Sequence, residues 1–329
     1  MTKKIARPYL TEKQFYGLWN QLLIKAQNSN FKCYSKTCDK SAIDSHILQK
    51  NGVLAYIIQN GHLFTLQNEV REKKFKFKRI GADKVFTFKG FCQSHDTDIF
   101  KEIETKDFSL DSYKNQLLLS YRGILNELRK KEIDIKFWQL LKDDPTMSNA
   151  IDPSVFWARE RGVRAAIKDM EFYRSELEED LIATGEHKPK FRFVVRRLPF
   201  VPVCTSSIFS FESNGQMIRK IGTLLFDKTL DSIIINLLPH EKETFLIVGT
   251  HQNCSSQCHL YLQQFSFRSD KELLKEINDI LIRNVETWVT SEHYYKHNIE
   301  RHENYISDFI KEHGDQYGVN IKVSINMFE

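Results

Sequence analysis

Four side chains of the metal-ligand type occur as two short pairs in the first third of the sequence. Cys33 and Cys38 have four residues between them, and Cys92 and His95 have two. Zinc prefers four nitrogen and sulfur ligands arranged as a tetrahedron, and two such pairs supply that set. Unrelated thiols are the alternative, but four potential ligands paired in this way favour one structural Zn²⁺. The sequence therefore predicts a zinc-stabilised fold over roughly residues 31–100.

A second group of cysteines and histidines lies in the C-terminal half. Four potential ligands fall within nine residues there, namely His251, Cys254, Cys258 and His259. They stand at the start of a segment, 258–267, whose residue types predict a strand. Because the group is crowded at the mouth of this strand, we interpret it as structural rather than metal-binding. We interpret Cys204 as a small buried residue.

A histidine follows the first cysteine pair by eight residues, within the run Asp44-Ser45-His46-Ile47. The order is a cysteine pair, a Ser-His-Ile motif and a Cys-x2-His pair that opens a helix. Over roughly residues 31–105, this order resembles the zinc-bearing branch of the HNH, or treble-clef ββα-metal, nucleases. It is also similar to a family of uncharacterised bacterial proteins that carry Ser-His-Ile-Leu-Gln followed by Gly-Phe-Cys-x2-His-Asp. The resemblance implies a treble-clef fold and phosphodiester cleavage.

The resemblance also implies roles for the polar side chains near the motif. His46 would be the general base that activates water, and a second divalent cation, Mg²⁺ or Mn²⁺, would neutralise the leaving oxygen. The family's further histidine is replaced here by Asp96 and Asp98. These carboxylates, with Asp44, are oxygen ligands of the kind Mg²⁺ prefers, or they complement a helix N-terminus. Asn60 is the candidate for the family's asparagine, and the alternative role of His46 is to support the zinc loop.

Positive charge is concentrated in the part of the chain that carries these motifs. The formal net charge is +5, and residues 1–150 hold 26 Lys and Arg against 17 Asp and Glu. Within 70–90, alternating Lys and Phe predict a strand with one basic face. The side chains expected to bind nucleic-acid phosphates are Lys74, Lys76, Lys78 and Arg79. A solvated edge strand protected by lysines is the alternative.

The pattern of elements predicts an α+β fold. Helical periodicity occurs at 10–28, 47–59, 111–131, 133–141, 152–182, 270–290 and 305–313. Strand-type runs occur at 61–66, 74–78, 85–88, 191–195, 207–211, 232–238, 244–250, 258–267 and 321–325. We expect three parts: a zinc-binding HNH-like domain with flanking helices at 1–145, a long connecting helix at 146–190, and an α+β domain with an antiparallel sheet and helices at 191–329.

Composition narrows the class of protein. Hydrophobic residues make up 41% and charged residues 28% of the chain, which is typical of a globular protein. No apolar run approaches the roughly 20 residues of a membrane span, and no apolar stretch follows the basic N-terminus as in a signal peptide. Six cysteines without a secretion signal are typical of thiols and metal ligands. We therefore expect a cytoplasmic protein without a membrane partner.

Two functions agree with these features. The first is an HNH-like, metal-dependent nuclease acting on nucleic acid in bacterial anti-phage defence, with the C-terminal domain binding a protein partner or trigger. The second is a non-catalytic, zinc-stabilised module that binds nucleic acid or protein as a subunit of a larger complex. The environment of His46 distinguishes the two hypotheses, because a nuclease needs this histidine exposed in a groove with carboxylates within reach, whereas a scaffold would bury it.

Overall fold

The computed structural model describes residues 10–104, 108–183, 187–211, 228–314 and 321–329, which form an α+β fold. The helices are α1 (Glu12–Gln27), α2 (Gln93–Phe100), α3 (Tyr113–Asp143), α4 (Pro145–Ala150), α5 (Pro153–Ile182), α6 (Ser256–Phe267), α7 (Asp270–Arg283), α8 (Glu292–Tyr294) and α9 (Glu303–His313). The strands are β1 (Asp44–His46), β2 (His62–Glu69), β3 (Lys74–Gly81), β4 (Thr87–Lys89), β5 (Phe191–Pro199), β6 (Val203–Ser210), β7 (Ser232–His240), β8 (Glu243–His251) and β9 (Val289–Thr290). No helix in this part of the chain has both the length and the apolar character needed to cross a membrane.

Seven of the strands form one antiparallel sheet in the order β3-β2-β9-β6-β7-β8-β5. Successive side chains of a strand point to opposite faces. In β7, Ile233 and Ile235 therefore join one core, while Ile234 and Leu238 join the other. Helices α3 and α5 cover one face, and α6 and α7 cover the other. Burial on both faces explains why β7 is apolar along its length instead of alternating.

Helix α3 is the central support of the first face. It merges the helices predicted at 111–131 and 133–141 into one, and it packs against both α5 and β6. Its contact with β6 is close at Gly123, where a Cβ atom would lie 2.6 Å from Ser206 Oγ and 3.2 Å from the Ser206 carbonyl carbon. A residue with a side chain would push the helix away from the sheet, so we infer that glycine is required here.

Four segments differ from the prediction. The helix predicted at 270–290 ends at Arg283, and residues 289–290 form strand β9 instead. Residues 258–267 are helical, in α6, because Ser255 caps the first turn and the buried residues recur every three to four positions. Residues 47–59 contain only a 3-10 turn at Val53–Tyr56. Residues 321–325 form no strand, and their carbonyl groups accept hydrogen bonds from α7 side chains instead.

The large sheet combines strands from both halves of the chain. Hairpin β2–β3 pairs with β9, where Phe64 faces Thr290, and β9 pairs in turn with β6. The core beside α3 likewise contains residues from Cys33 to Val289. The boundary predicted at 145 falls in the first turn of α4, and the one at 190 falls just before β5, while the core beside α3 contains residues from both sides of each.

Candidate metal centre and an adjoining polar site

Local structure brings the two predicted ligand pairs together. Cys33 and Cys38 flank a tight loop in which Cys38 N donates a hydrogen bond to Ser35 O at 3.0 Å. Cys92 is the N-cap of α2, and His95 lies in the first turn of that helix. The four ligand atoms all lie within 4.8 Å of one another. The structure thus contains a closed cluster of three thiols and one imidazole.

The distances within the cluster match the edges of a tetrahedral zinc site. Cys92 Sγ and Cys33 Sγ lie 3.3 and 3.5 Å from His95 Nδ1, and Cys38 Sγ lies 3.8 Å from Cys92 Sγ. Zinc bonds of about 2.3 Å to sulfur and about 2.0–2.1 Å to nitrogen give tetrahedral edges of about 3.6 Å (S to N) and about 3.8 Å (S to S). The cysteines are free thiols. The donor set therefore fits one zinc ion.

The surroundings favour the thiolate form of Cys92 and disfavour the thiolate form of Cys33. The Ser94 hydroxyl and the His95 backbone amide lower the pKa of Cys92 to about 6. Burial raises the pKa of Cys33. Since the thiolate is the metal-binding form, a bound cation would supply the positive charge that stabilises the buried Cys33 thiolate.

Two arginines attach the ligand loops to the long helices. Arg129 of α3 donates hydrogen bonds to Lys32 O at 3.1 Å and to Lys89 O at 2.7 Å. Arg174 of α5 donates to Tyr34 O at 2.5 Å. Both guanidinium groups also lie over the Tyr34 ring, 4.1 and 4.9 Å from its centroid. The main core therefore positions both ligand pairs.

His46 ends strand β1, which pairs with β4 shortly before α2 begins, and its partner in register is Thr87. The ring is half-buried, and Nε2 is fully buried with no hydrogen-bond partner among the described residues. Burial and the charge of Arg122 lower the pKa of His46, against the opposite effects of Asp96 and Asp83. This environment favours the neutral imidazole.

A buried carboxylate and a buried guanidinium adjoin this histidine. Asp96, in the first turn of α2, has its Oδ1 3.5 Å from Arg122 Nη2. Arg122 of α3 donates to Glu104 Oε1 at 2.5 Å and lies 3.9 Å above the Phe100 ring. Within the described ranges, neither Asp96 Oδ1 nor Arg122 Nε has a hydrogen-bond partner, although both are buried. Three buried polar atoms from β1, α2 and α3 therefore lie in one region without a hydrogen-bond partner among the described residues, although Asp96 Oδ1 and Arg122 form an ion pair. Buried polar groups normally find hydrogen-bond partners.

The other predicted catalytic side chains have different surroundings. Asp44 and Asp98 are exposed to solvent. Asn60 lines a surface pocket next to α8. Of the predicted carboxylates, the structure brings Asp96 into the electrostatic environment of His46.

Arg122 was not singled out from the sequence. Its only signal was its place on α3, four residues after Leu118 and so on the apolar face of a helix that was predicted to be buried there. A charged residue at such a position needs partners, and these come from segments that are distant in sequence.

The basic hairpin is partly neutralised by carboxylates. Three of the four predicted phosphate-binding side chains form ion pairs: Lys76 with Glu72, Lys78 with Glu69, and Arg79 with Glu292. Lys74 is exposed and forms no ion pair with any residue that the structure describes. The lysines share one face of β3, while strand alternation directs Arg79 to the other face. The three lysines therefore form a surface to which Arg79 does not belong.

Helix α9 covers the outer edge of this hairpin. The backbone N–H of Phe75 donates to Ser307 Oγ at 3.0 Å, and that of Phe77 donates to Glu303 Oε2 at 3.1 Å. An uncovered edge strand would offer such groups to another chain. The edge is thus protected by side chains of α9, and the lysines are not needed for that purpose alone.

The four potential ligands at 251–259 do not converge on one point. His251 Nε2 forms a hydrogen bond with Glu176 Oε2 at 3.0 Å, and His259 Nε2 forms one with Gln252 O at 3.1 Å. The two cysteines lie together with Asp231, a residue that the sequence did not indicate.

Comparison of the chain with family models, with curated proteins and with solved structures finds no match in any of the three. The function of these sites must therefore be inferred from their geometry.

Proposed function

We propose that this chain is a metal-dependent phosphodiesterase of the HNH-like, treble-clef type that cuts nucleic acid, with zinc in a structural role. The observation that carries the proposal is the grouping of His46 Nε2 and Asp96 Oδ1, two buried atoms without a hydrogen-bond partner among the described residues, beside the Arg122 guanidinium. The imidazole nitrogen and the carboxylate oxygen are suited to bind a water molecule and a cation. The order of β1, β4 and α2 around the cysteine cluster supports the treble-clef assignment.

The side chains have distinct roles in this proposal. The neutral His46 accepts a proton from the attacking water, and Asp96 offers an oxygen ligand to Mg²⁺ or Mn²⁺. When bound, the cation would neutralise charge on the phosphate and the leaving oxygen. Arg122 orients Asp96 through their charges, since its own position is fixed by Glu104 and Phe100. Asp44 and Asp98 face solvent and are less suited to hold the cation.

The same proposal assigns a substrate-binding surface, a partner-binding region and a cellular role. The lysine face of β3 is the surface that we assign to nucleic-acid phosphates. The C-terminal half would bind a protein partner, and a cytoplasmic role in bacterial defence against phage agrees with a nuclease of this kind.

A pair of matched substitutions tests the role of Asp96. Asp96→Asn should lower the rate of plasmid nicking in Mg²⁺ by about 10²-fold or more, because a catalytic cation contributes several kcal/mol to transition-state stabilisation. Asp98→Asn removes the same charge two residues away and should leave the rate unchanged. Zinc content and melting temperature, measured on both variants, show whether the fold is intact. Equal activity of the two variants would remove Asp96 from the site.

A triple substitution tests whether the lysine face of β3 binds nucleic-acid phosphates. Changing Lys74, Lys76 and Lys78 together to Glu should abolish binding of duplex DNA or RNA, because phosphate contacts become repulsive. For the native protein, log K should fall linearly with log salt, with a slope of about 2–3 in magnitude for about three phosphate contacts.

A charge-matched triple variant provides the control for this test. Lys13, Lys25 and Lys136 are exposed on α1 and α3, outside the hairpin, and their change to Glu should weaken binding far less. Equal losses in the two triple variants would indicate a general effect of net charge and would contradict the assigned surface.

The second candidate function is a non-catalytic, zinc-stabilised binding module. Two observations favour it: His46 Nε2 is buried, as expected for a histidine that supports the zinc loop, and the Arg122 guanidinium lies 3.5 Å from Asp96 Oδ1 and already supplies a positive charge there. On this alternative Arg122 replaces the catalytic cation, and His46 supports the zinc loop. Native protein that binds nucleic acid but cleaves none with any divalent metal would support this function over the first.

A further inference from the structure

The turn between β8 and α6 carries two cysteines that the proposed nuclease site does not use. Cys254 lies in this turn, and Cys258 lies in the first turn of α6, where its backbone N–H is capped by Ser255. Both sulfur atoms and a carboxylate oxygen of Asp231 lie within 4.8 Å of one another. Closing such a separation to the roughly 2.05 Å of a disulfide requires the side chains to rotate towards each other.

The two thiols differ in their access to solvent. Cys258 is fully buried, whereas Cys254 is partly exposed. Thr250 Oγ1 lies 3.1 Å from Cys254 Sγ and 3.3 Å from Cys258 Sγ, and the Tyr173 hydroxyl lies 3.8 Å from Cys254 Sγ. These contacts hold both side chains side by side, and of the two residues only Cys254 has part of its surface exposed to solvent.

We propose that Cys254 and Cys258 form a reversible redox pair that undergoes thiol–disulfide exchange with a low-molecular-weight aliphatic disulfide. The Cys254 thiolate attacks one sulfur of that disulfide, and the first small thiolate leaves and takes up the proton lost by Cys254. The Cys258 sulfur then attacks Cys254 Sγ, and the second small thiolate leaves with the proton of Cys258. Two protein thiols are oxidised to one disulfide, and the small disulfide is reduced to two thiols, with two electrons transferred.

The pKa shifts of the two cysteines support Cys254 as the attacking group and Cys258 as the resolving group. The hydrogen bond from the Cys258 thiol lowers the pKa of Cys254 to about 7, against the effect of burial. The same hydrogen bond, together with burial, raises the pKa of Cys258. An attacking thiol reacts fastest when its pKa lies near the ambient pH. The exposed cysteine is therefore the attacking group, and the buried one resolves the mixed disulfide.

A metal ion at this position would be poorly coordinated. Beside the two cysteines, Asp231 is the third donor that the described residues supply, and one of its oxygens already accepts a hydrogen bond from Ser255 N at 2.8 Å. His251 and His259 are bonded elsewhere. Structural zinc sites are almost always four-coordinate, so the arrangement fits a dithiol better than a zinc site.

The test uses full-length, zinc-loaded protein equilibrated with reduced and oxidised glutathione at graded ratios, then alkylated and digested with trypsin. Both cysteines fall in one tryptic peptide, 243–268. The internal disulfide is therefore seen as protection from alkylation and a loss of about two mass units, for the two hydrogens removed. We expect it to form progressively as the oxidised fraction rises and to disappear on reduction.

Three variants make the outcome specific. Cys258→Ala should convert the internal disulfide into a stable glutathione adduct on Cys254, and Cys254→Ala should abolish both products. Cys204→Ala is the matched control, because Cys204 is fully buried and lies outside that peptide. A native chain that collects only mixed disulfide, or that does not react at any ratio, would overturn the proposal. So would a pair that becomes reactive only when a second zinc ion is removed by a chelator.

Discussion

His46→Ala is expected to reduce the rate of plasmid nicking in Mg²⁺ by a factor of about 10²–10⁴, the usual cost of removing a positioned general base. Zinc content and melting temperature should stay near the native values. The ring is only half-buried and its Nε2 has no hydrogen-bond partner in the described part of the chain, so its removal leaves no polar partner unsatisfied. Initial nicking rate, elemental zinc and thermal melting, measured on one preparation, check all three expectations.

Two further variants separate loss of the base from loss of packing. His46→Gln fills more of the space than alanine but is not a base, and it should be as inactive as His46→Ala. His62→Ala removes another half-buried histidine, whose Nδ1 donates to Asn60 O at 2.6 Å, and it should keep full activity. If His46→Ala instead lowers both the zinc content and the melting temperature, the histidine supports the ligand loops. Groups that contact and orient metal ligands often have this effect. The non-catalytic binding module would then be the better-supported function.

The ligand cluster was predictable because its signal is local. Cys33 and Cys38 belong to one short loop, and Cys92 and His95 to the first turn of one helix. Each pair therefore has a fixed geometry that residue type and spacing indicate directly. Two half-sites of this kind are complementary, and the structure does bring the four side chains together. The identity of the ion remains a prediction.

The polar site beside the cluster was only partly predictable because its geometry is long-range. Asp96 and His46 carry a motif signal, but Arg122 reaches them only through the packing of α3 on the zinc loops. The same limit applies to the hairpin β2–β3, whose partner β9 lies more than 200 residues away in sequence. At 258–267 the failure had a different cause, since a short apolar segment fits a strand and a buried helix equally well.

Zinc removal, by a chelator or by Cys92→Ser, is expected to unfold the segments around 31–46 and 87–104. Structural zinc binds zinc-finger peptides with an apparent free energy of about 10–16 kcal/mol, which is comparable to the whole stability of about 5–15 kcal/mol of an ordinary domain. Without the ion, burial of Cys33 disfavours its thiolate. The loops are then held by their contacts to Arg129 and Arg174, by core packing of Tyr34 and by backbone hydrogen bonds such as that from Tyr34 N to Gly90 O. Elemental analysis should find one zinc per native chain, and hydrogen exchange should show loss of protection in both segments.

The large sheet should limit how far the unfolding spreads when zinc is removed. Hairpin β2–β3 lies in sequence between the two segments that carry the ligand pairs, but it is hydrogen-bonded to β9 and its edge is covered by α9. We therefore expect β2 and β7–β8 to keep their protection while the segments on either side of the hairpin lose theirs. Cys204→Ala, which removes a buried thiol outside the cluster, should lower the melting temperature without this pattern. Freshly purified protein without zinc would contradict the metal centre itself. Loss of protection in β7–β8 together with the ligand loops would show instead that one cooperative unit spans the sheet, because the core beside α3 already connects Cys33 to Val289.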